Sequence, residues 1–165
     1  MLCYDWNSIK YIGVNLMQSN YKKSRQGYRE HLGVFVRSGW ENNCLLWLTS
    51  LKYSWEYEPT TFYFEKIKRG TRSYTPDFKL TGKGRKKFGD DYIWVEVKGY
   101  LKPQDKTKTK RLKKYWPDEF ARLQVITKNE KVAATKFYQE MGVPIFAYYD
   151  DIVAANKAKP LKNWE

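Results

Sequence analysis

The stretch 92–98 reads Tyr-Ile-Trp-Val-Glu-Val-Lys and predicts the strand around which the rest of the fold is arranged. β-Branched and aromatic residues are enriched in strands because they pack well on a pleated surface. Successive side chains of a strand point to opposite faces, so Glu96 and Lys98 project together. The intervening Val97 points the other way, with Val95, towards apolar packing. One face of this strand therefore carries a carboxylate beside an ammonium group.

A helix and two further strands are predicted before this stretch. Residues 38–41, Ser-Gly-Trp-Glu, have the form of a capping box, and apolar residues follow at helical spacing to about Lys52. An aromatic, alternating run over 55–64 predicts a strand, and a charged turn separates it from a returning strand over 72–80. Three consecutive strands can form an antiparallel meander.

The elements after residue 98 alternate between helix and strand. The predicted order is helix 102–116, strand 122–127, helix 130–141 and strand 143–149. Strand–helix–strand steps permit parallel additions to a sheet. We therefore predict an α/β fold, a mixed β-sheet flanked by helices with an α-β-β-β-α-β core. This domain covers 38–150, after a basic and aromatic arm over 1–37 and before a polar, loose tail over 151–165.

Charge narrows the class of partner. The 165 residues favour one domain, and 31 Lys+Arg against 18 Asp+Glu give a net charge of +13. Such a field attracts polyanions, and nucleic acid is the leading class, although a basic protein that merely stays soluble has the same composition. With two Cys and one His, the chain lacks the ligands for a zinc finger, for zinc-centred deamination and for histidine-centred nuclease chemistry.

Segment composition also predicts the compartment. The N-terminus has no basic stretch followed by an apolar run, so we expect no signal peptide. No stretch of about 18 apolar residues predicts a membrane span, so we expect no membrane partner. Two distant Cys fit a reducing compartment. We expect a cytoplasmic protein, in the host cell cytoplasm if it is phage-encoded, that uses no organic cofactor.

A second acidic residue lies on the returning strand. If that strand pairs with 92–98 across the basic loop 81–90, Asp77 lies beside Glu96. Two neighbouring carboxylates repel each other unless a cation lies between them. Pro76 removes a ladder hydrogen bond, so we expect a distortion that aims Asp77 off the sheet. Mg²⁺ prefers oxygen ligands and can activate water for phosphodiester hydrolysis, which predicts a Mg²⁺ site that also accepts Mn²⁺.

Four short pieces of the chain resemble a known nuclease family. They are 37–41 (Arg-Ser-Gly-Trp-Glu), 56–58 (Glu-Tyr-Glu), 74–78 (Tyr-Thr-Pro-Asp-Phe) and 96–99 (Glu-Val-Lys-Gly). Pro-Asp followed by Glu-Val-Lys is similar to the PD-(D/E)xK signature, and the ordered set resembles the phage endonuclease I family of Holliday-junction resolving enzymes. Over residues 37–150, the resemblance implies a restriction-endonuclease-like fold and a homodimeric, Mg²⁺-dependent DNA endonuclease that acts on branched DNA.

The resemblance also implies a role for each catalytic candidate. Asp77, Glu96 and the backbone carbonyl of Val97 are the expected metal ligands, and Glu41 completes the metal site or orients a metal-bound water. Lys98 is expected to contact the attacking water or the scissile phosphate. Purely structural alternatives exist: Glu41 serves the capping box alone, and Glu96 with Lys98 forms a solvent-facing ion pair. Gly99 is expected to allow a ligand backbone to approach closely.

Candidate phosphate contacts lie in the arm, the basic loop and the basic helix. Cations interleaved with tyrosines can follow a phosphate backbone and stack on bases, although solvated cations are the simpler interpretation. The predicted DNA-binding residues are Lys22, Lys23, Arg25, Arg29, Lys83, Arg85, Lys86, Lys87, Lys106 and Lys110.

The chain departs from the resembled family in places that bear on the substrate. The arm is longer, the loop 81–90 is inserted, and a charged hairpin over 65–71 stands where the family exchanges segments between subunits. A segment-swapped dimer and strict junction specificity therefore stay open. The alternatives are a site-specific, homing or nicking endonuclease on the same fold, and a non-catalytic DNA-binding module.

Overall fold

The computed structural model describes residues 26–87, 89 and 91–165 as ten strands and five helices around one main sheet. Along the chain these elements are β1 Gly27–Arg29, β2 Val34–Val36, α1 Gly39–Ser50, β3 Tyr53–Tyr57, β4 Phe62–Tyr63, β5 Ser73–Tyr74, β6 Phe78–Lys83, β7 Lys86–Lys87, β8 Ile93–Lys98, α2 Pro103–Tyr115, α3 Pro117–Ala121, β9 Leu123–Thr127, α4 Ala133–Glu140, β10 Ile145–Tyr148 and α5 Tyr149–Ala158.

Strand β8 is the centre of the main sheet. The strand order is β10-β9-β8-β6-β3, with the short β7 paired to the end of β6. β3, β6 and β8 are antiparallel neighbours, whereas β9 and β10 are added in parallel. The prediction of a mixed α/β sheet, with a meander first and parallel additions later, is confirmed.

Helices cover both faces of this sheet, each face with its own apolar core. Trp94 of β8 packs with residues of α2, α3 and α4 on one face. The next residue, Val95, packs with residues of α1 and α5 on the other. The alternation predicted for the 92–98 stretch is confirmed, because Val95 and Val97 contact the second core.

The two long strands predicted before β8 are each interrupted. β3 ends at Tyr57, where Glu58 adopts a left-handed φ of 43°, and β4 belongs to a separate two-stranded sheet with β5. Residues 75–77 likewise separate β5 from β6. The two breaks face each other, because the Glu58 N–H donates to the Asp77 carbonyl at 2.8 Å. The distortion expected at Pro76 is therefore confirmed.

Both ends of the predicted domain contain more structure than expected. Within the described part of the arm, β1 and β2 pair as an antiparallel hairpin, and Val36 is fully buried. The loose tail predicted over 151–165 is wrong, since most of α5 lies there and buries Ile152. Its few apolar residues lie on one helical face, which outweighs the polar composition of the segment.

Two local predictions also change. The basic loop 81–90 is partly strand, because β6 continues to Lys83 and pairs with β7. Pro117, placed just beyond a helix, also begins the short α3, which is favourable because the first helical position does not use its N–H. Among the described residues, no helix combines the length and apolar character needed to cross a bilayer.

Candidate active site

All four predicted catalytic residues line one cavity of about 940 Å³. It lies where the breaks in the strands open the sheet beside β8. Its acidic lining residues are Glu41, Glu58, Asp77 and Glu96, and its basic lining residues are Arg37, Arg72, Lys98, Lys102 and Lys108. Val97, whose backbone carbonyl is the expected metal ligand, also lines this space.

The register between β6 and β8 brings Asp77 beside Glu96. The paired residues end with Phe78 opposite Val95, so Asp77 and Glu96 come next on the adjoining strands. Phe78 and Val95 share the α1–α5 core, so their strand neighbours project from the opposite face. Beyond the ladder, the Asp77 Oδ2 atom accepts the Val97 N–H at 2.6 Å. The carboxylate thus replaces a backbone carbonyl that the broken strand no longer supplies.

The surroundings of Asp77 disfavour its negative charge. Burial raises the pKa of Asp77 well above its ordinary value, and repulsion from Glu96 and Glu41 raises this pKa further. The Val97 N–H and the Lys98 ammonium act in the opposite direction without cancelling the effect. An added cation would relieve this crowding of carboxylates.

Glu96 is buried and has a partner for each oxygen. Its Oε1 atom lies 2.8 Å from the Lys98 Nζ, and its Oε2 atom accepts from the Tyr74 hydroxyl at 3.0 Å. Burial, followed by the charge of Glu96, raises the pKa of Tyr74, so this hydroxyl stays a donor. Tyr74 lies in one of the four sequence motifs, but its hydrogen bond to Glu96 was not predicted.

Lys98 is a protonated cation in this site. Burial by itself would lower the pKa of Lys98, but attraction to Glu96 outweighs it and raises this pKa above its ordinary value. A second carboxylate, Asp105 of α2, accepts from Lys98 at 3.2 Å. Its other oxygen accepts the Lys102 N–H at 2.8 Å, which ties Asp105 to the start of the helix. The alternative of a solvent-facing ion pair is therefore wrong, since these groups form a largely buried network.

Glu41 lies at the cavity and is also tied to the start of α1. It lines the cavity, and its Oε1 atom accepts from the Ser38 hydroxyl at 2.8 Å, where Ser38 caps α1. Its Oε2 atom accepts from the Tyr57 hydroxyl at 2.6 Å and from the Arg37 N–H at 2.9 Å. Over the described ranges, no three Asp, Glu, His or Cys side chains form a ready-made cation cage. Both carboxylate oxygens of Glu41 thus accept hydrogen bonds from neighbouring residues of the protein.

Comparisons with known proteins do not indicate a function for this chain, so the function is proposed from the cavity. No protein-family model, no curated protein and no solved structure matches the chain. The likeness to PD-(D/E)xK nucleases rests on the short motifs and on the arrangement of Asp77, Glu96 and Lys98.

The basic helix α2 presents a different face to the cavity from the one expected. Lys102 and Lys108 line the cavity, whereas Lys106 lies over the Phe137 ring at 5.8 Å and Lys110 is exposed elsewhere. The sequence of α2 does indicate which of its faces points inward. Leu112 is the one aliphatic residue of α2 other than Pro103 and is fully buried, so positions three, four and seven residues before it face inward.

The other predicted DNA contacts lie away from the cavity or outside the described residues. Lys83, Arg85 and Lys86 are exposed around the β6–β7 turn, at the end of β6 remote from Asp77, about 17 Å along the strand. The Arg29 guanidinium forms an ion pair with Glu165 at 2.6 Å and its side chain is 13% exposed, which contradicts its predicted place at a DNA surface. Outside the described positions are Lys22, Lys23, Arg25 and the side chain of Lys87.

Gly99 has a packing role instead of the expected ligand approach. A Cβ atom at this position would lie 3.1 Å from the Trp40 ring. That indole is itself stacked on Tyr149, with ring centroids 3.8 Å apart. The missing side chain therefore makes room for Trp40 and α1 beneath the end of β8.

Proposed function

We propose that this protein is a metal-dependent DNA endonuclease that hydrolyses phosphodiester bonds in branched DNA, on a restriction-endonuclease-like arrangement of strands. The observation that carries the proposal is the convergence of Asp77, Glu96 and Lys98 in one cavity. One buried acid, one partly buried acid and an ammonium group on neighbouring strands suit hydrolysis of a phosphodiester better than they suit simple binding of a polyanion.

The donor set fits Mg²⁺. The carboxylates of Asp77 and Glu96 and the carbonyl of Val97 are hard oxygen donors, and Mg²⁺ keeps several waters besides such ligands. Burial and repulsion from Glu96 and Glu41 raise the pKa of Asp77, so a cation bound beside this carboxylate would stabilise its charged form. When bound, Mg²⁺ would lower the pKa of a water and offset charge that develops on phosphate oxygens. Mn²⁺ accepts the same oxygen ligands.

The chain's own residues supply position and charge. Attraction to Glu96 raises the pKa of Lys98, so its ammonium group would stabilise negative charge on the scissile phosphate and donate to the attacking water. Glu96 and Asp105 hold its ammonium group from two sides. The rim cations Arg72, Lys102 and Lys108 then attract the adjoining phosphates.

Cleavage of a substrate panel tests the proposal. Four-way junction, flap, single strand and duplex are each incubated with Mg²⁺, Mn²⁺ or EDTA. We expect paired, symmetric nicks in the junction that need a metal ion. Lys98→Ala abolishes them, and Lys110→Ala, which removes an exposed lysine that does not line the cavity, keeps them. Cutting of linear duplex at one sequence favours the homing or restriction-type alternative instead.

A non-catalytic DNA-binding module is the candidate from another class. The net charge of +13 favours it, and it predicts binding that weakens steeply with salt and no cleavage with either metal. The carboxylates of Asp77 and Glu96 in the cavity count against it, because carboxylates repel phosphate. A homodimer is also part of the proposal, since a two-fold enzyme suits the two-fold symmetry of a junction. Analytical ultracentrifugation measures directly whether the protein is a dimer.

A further inference from the structure

The β1–β2 hairpin turns two aromatic side chains towards solvent. Tyr28 and Phe35 are 61% and 53% exposed. They are opposite each other in the hairpin register, so their Cβ atoms lie about 5 Å apart on one face. The other face carries Val34 and Val36, which pack on the core. A solvated hairpin face is normally polar, so this aromatic pair is a candidate contact surface.

The aromatic pair adjoins the candidate active site. A second cavity, of about 550 Å³, is lined by Tyr28 and Phe35 together with Arg37, Tyr57 and Glu58. Arg37 and Glu58 line the larger cavity as well, where they form an ion pair at 2.9 Å. A chain that lies across the acidic centre can therefore continue onto the aromatic pair without leaving the protein surface.

We propose that Tyr28 and Phe35 form a stacking surface for an unpaired DNA base next to the phosphodiester that is cut. Every base has a π-face, so stacking on aromatic rings tolerates any sequence. The overall charge of +13 and the cationic rim select a polyanion as the occupant. A base within a duplex is stacked between its neighbours and must leave the helix to reach a protein pocket. The surface therefore selects DNA with unpaired nucleotides at a branch.

This inference rests on the proposed function and narrows its substrate class. Binding is therefore measured in EDTA, where cleavage is not required. The probes are a forked DNA with 2-aminopurine at the first unpaired nucleotide and a fully paired duplex of the same length. We expect the wild-type protein to bind the fork more tightly and to quench the 2-aminopurine fluorescence, because stacking quenches this base.

Variants separate the rings from general structure. Tyr28→Ala and Phe35→Ala should each weaken fork binding about tenfold, remove the quenching and leave duplex binding within about twofold. Tyr28→Phe and Phe35→Tyr keep a ring and should keep both properties, even if an alanine variant folds poorly. Tyr63→Ala is the matched control, because Tyr63 is 64% exposed and lines neither cavity.

Three results would overturn the inference. One is an equal loss of fork and duplex binding in the alanine variants, and another is unchanged quenching. The third is conversion of a wild-type dimer to monomers by these variants, which would make the pair a contact between two copies. Fork preference and quenching without any cleavage in Mg²⁺ would instead refute the proposed endonuclease and leave the stacking surface standing. Cleavage in Mg²⁺ that neither alanine variant changes would refute the stacking surface and leave the proposed endonuclease standing.

Discussion

Asp77→Asn should stabilise the protein when no metal is present, although it removes a proposed catalytic group. The amide oxygen of Asn can still accept the Val97 N–H, which the carboxylate accepts at 2.6 Å. The change therefore keeps the link between the strands and removes the negative charge. Because Glu96 and Glu41 repel that charge in a buried place, its loss should favour the folded state.

The size of the effect depends on pH in a direction that the structure predicts. Burial, with repulsion from Glu96 and Glu41, holds the folded-state pKa of Asp77 above its ordinary value of 3.8. The folded protein thus binds this proton more tightly than the unfolded chain, and stability falls as pH rises from 3.8 through the folded-state pKa. Each pKa unit by which the folded-state value exceeds the ordinary one is worth about 1.4 kcal/mol of stability, which Asp77→Asn should regain once the wild-type carboxyl group ionises. For a chain of this length, each such pKa unit corresponds to a Tm about 3–6 °C higher near neutral pH.

Thermal and urea unfolding in EDTA, at acidic and at neutral pH, measure this difference. The gap between variant and wild type should be small near the unfolded-state pKa and should widen towards neutral pH. Mg²⁺ should then stabilise the wild type, by about 2.7 kcal/mol at a hundredfold excess over Kd, and have little effect on Asp77→Asn. Glu130→Gln neutralises an exposed carboxylate and serves as the control. A variant less stable than wild type in EDTA at neutral pH would refute the argument.

Three further predictions follow from other contacts. Gly99→Ala should lower the free energy of unfolding by about 1–3 kcal/mol through overpacking against the indole beneath it, whereas unchanged stability with lost cleavage would restore the ligand-approach explanation. Asp105→Asn should slow single-turnover cleavage about tenfold, because it weakens a charge-assisted hydrogen bond to Lys98, and it should leave the Kd for DNA nearly unchanged. Lys108→Ala should reduce the slope of log K against log salt by about one, while an equal reduction in Lys110→Ala would place the DNA on the other helix face.

Contacts between neighbours in the chain explain what could be predicted about the site. The shared face of Glu96 and Lys98 follows from the two-residue period of a strand, and the cap at Ser38 follows from residues three apart. The break at Pro76 follows from its missing N–H donor. In each case the cause lies within a few residues, so reading the chain locally was enough.

The partners of these groups come from distant parts of the chain. Glu41 accepts from Tyr57 of β3, and Arg29 is occupied by Glu165 from the far end of the described residues. No local pattern indicates that Gly99 makes room for Trp40.

The sequence by itself determined the mixed sheet, the acidic pair and the ammonium group, because hydrophobic period and turn chemistry act locally. Only the tertiary structure decided which lysines border the cavity, how the predicted tail folds, and that an aromatic pair lies beside the acids. These depend on how helices dock on the sheet, and docking is set by the packing of side chains from segments far apart in the chain.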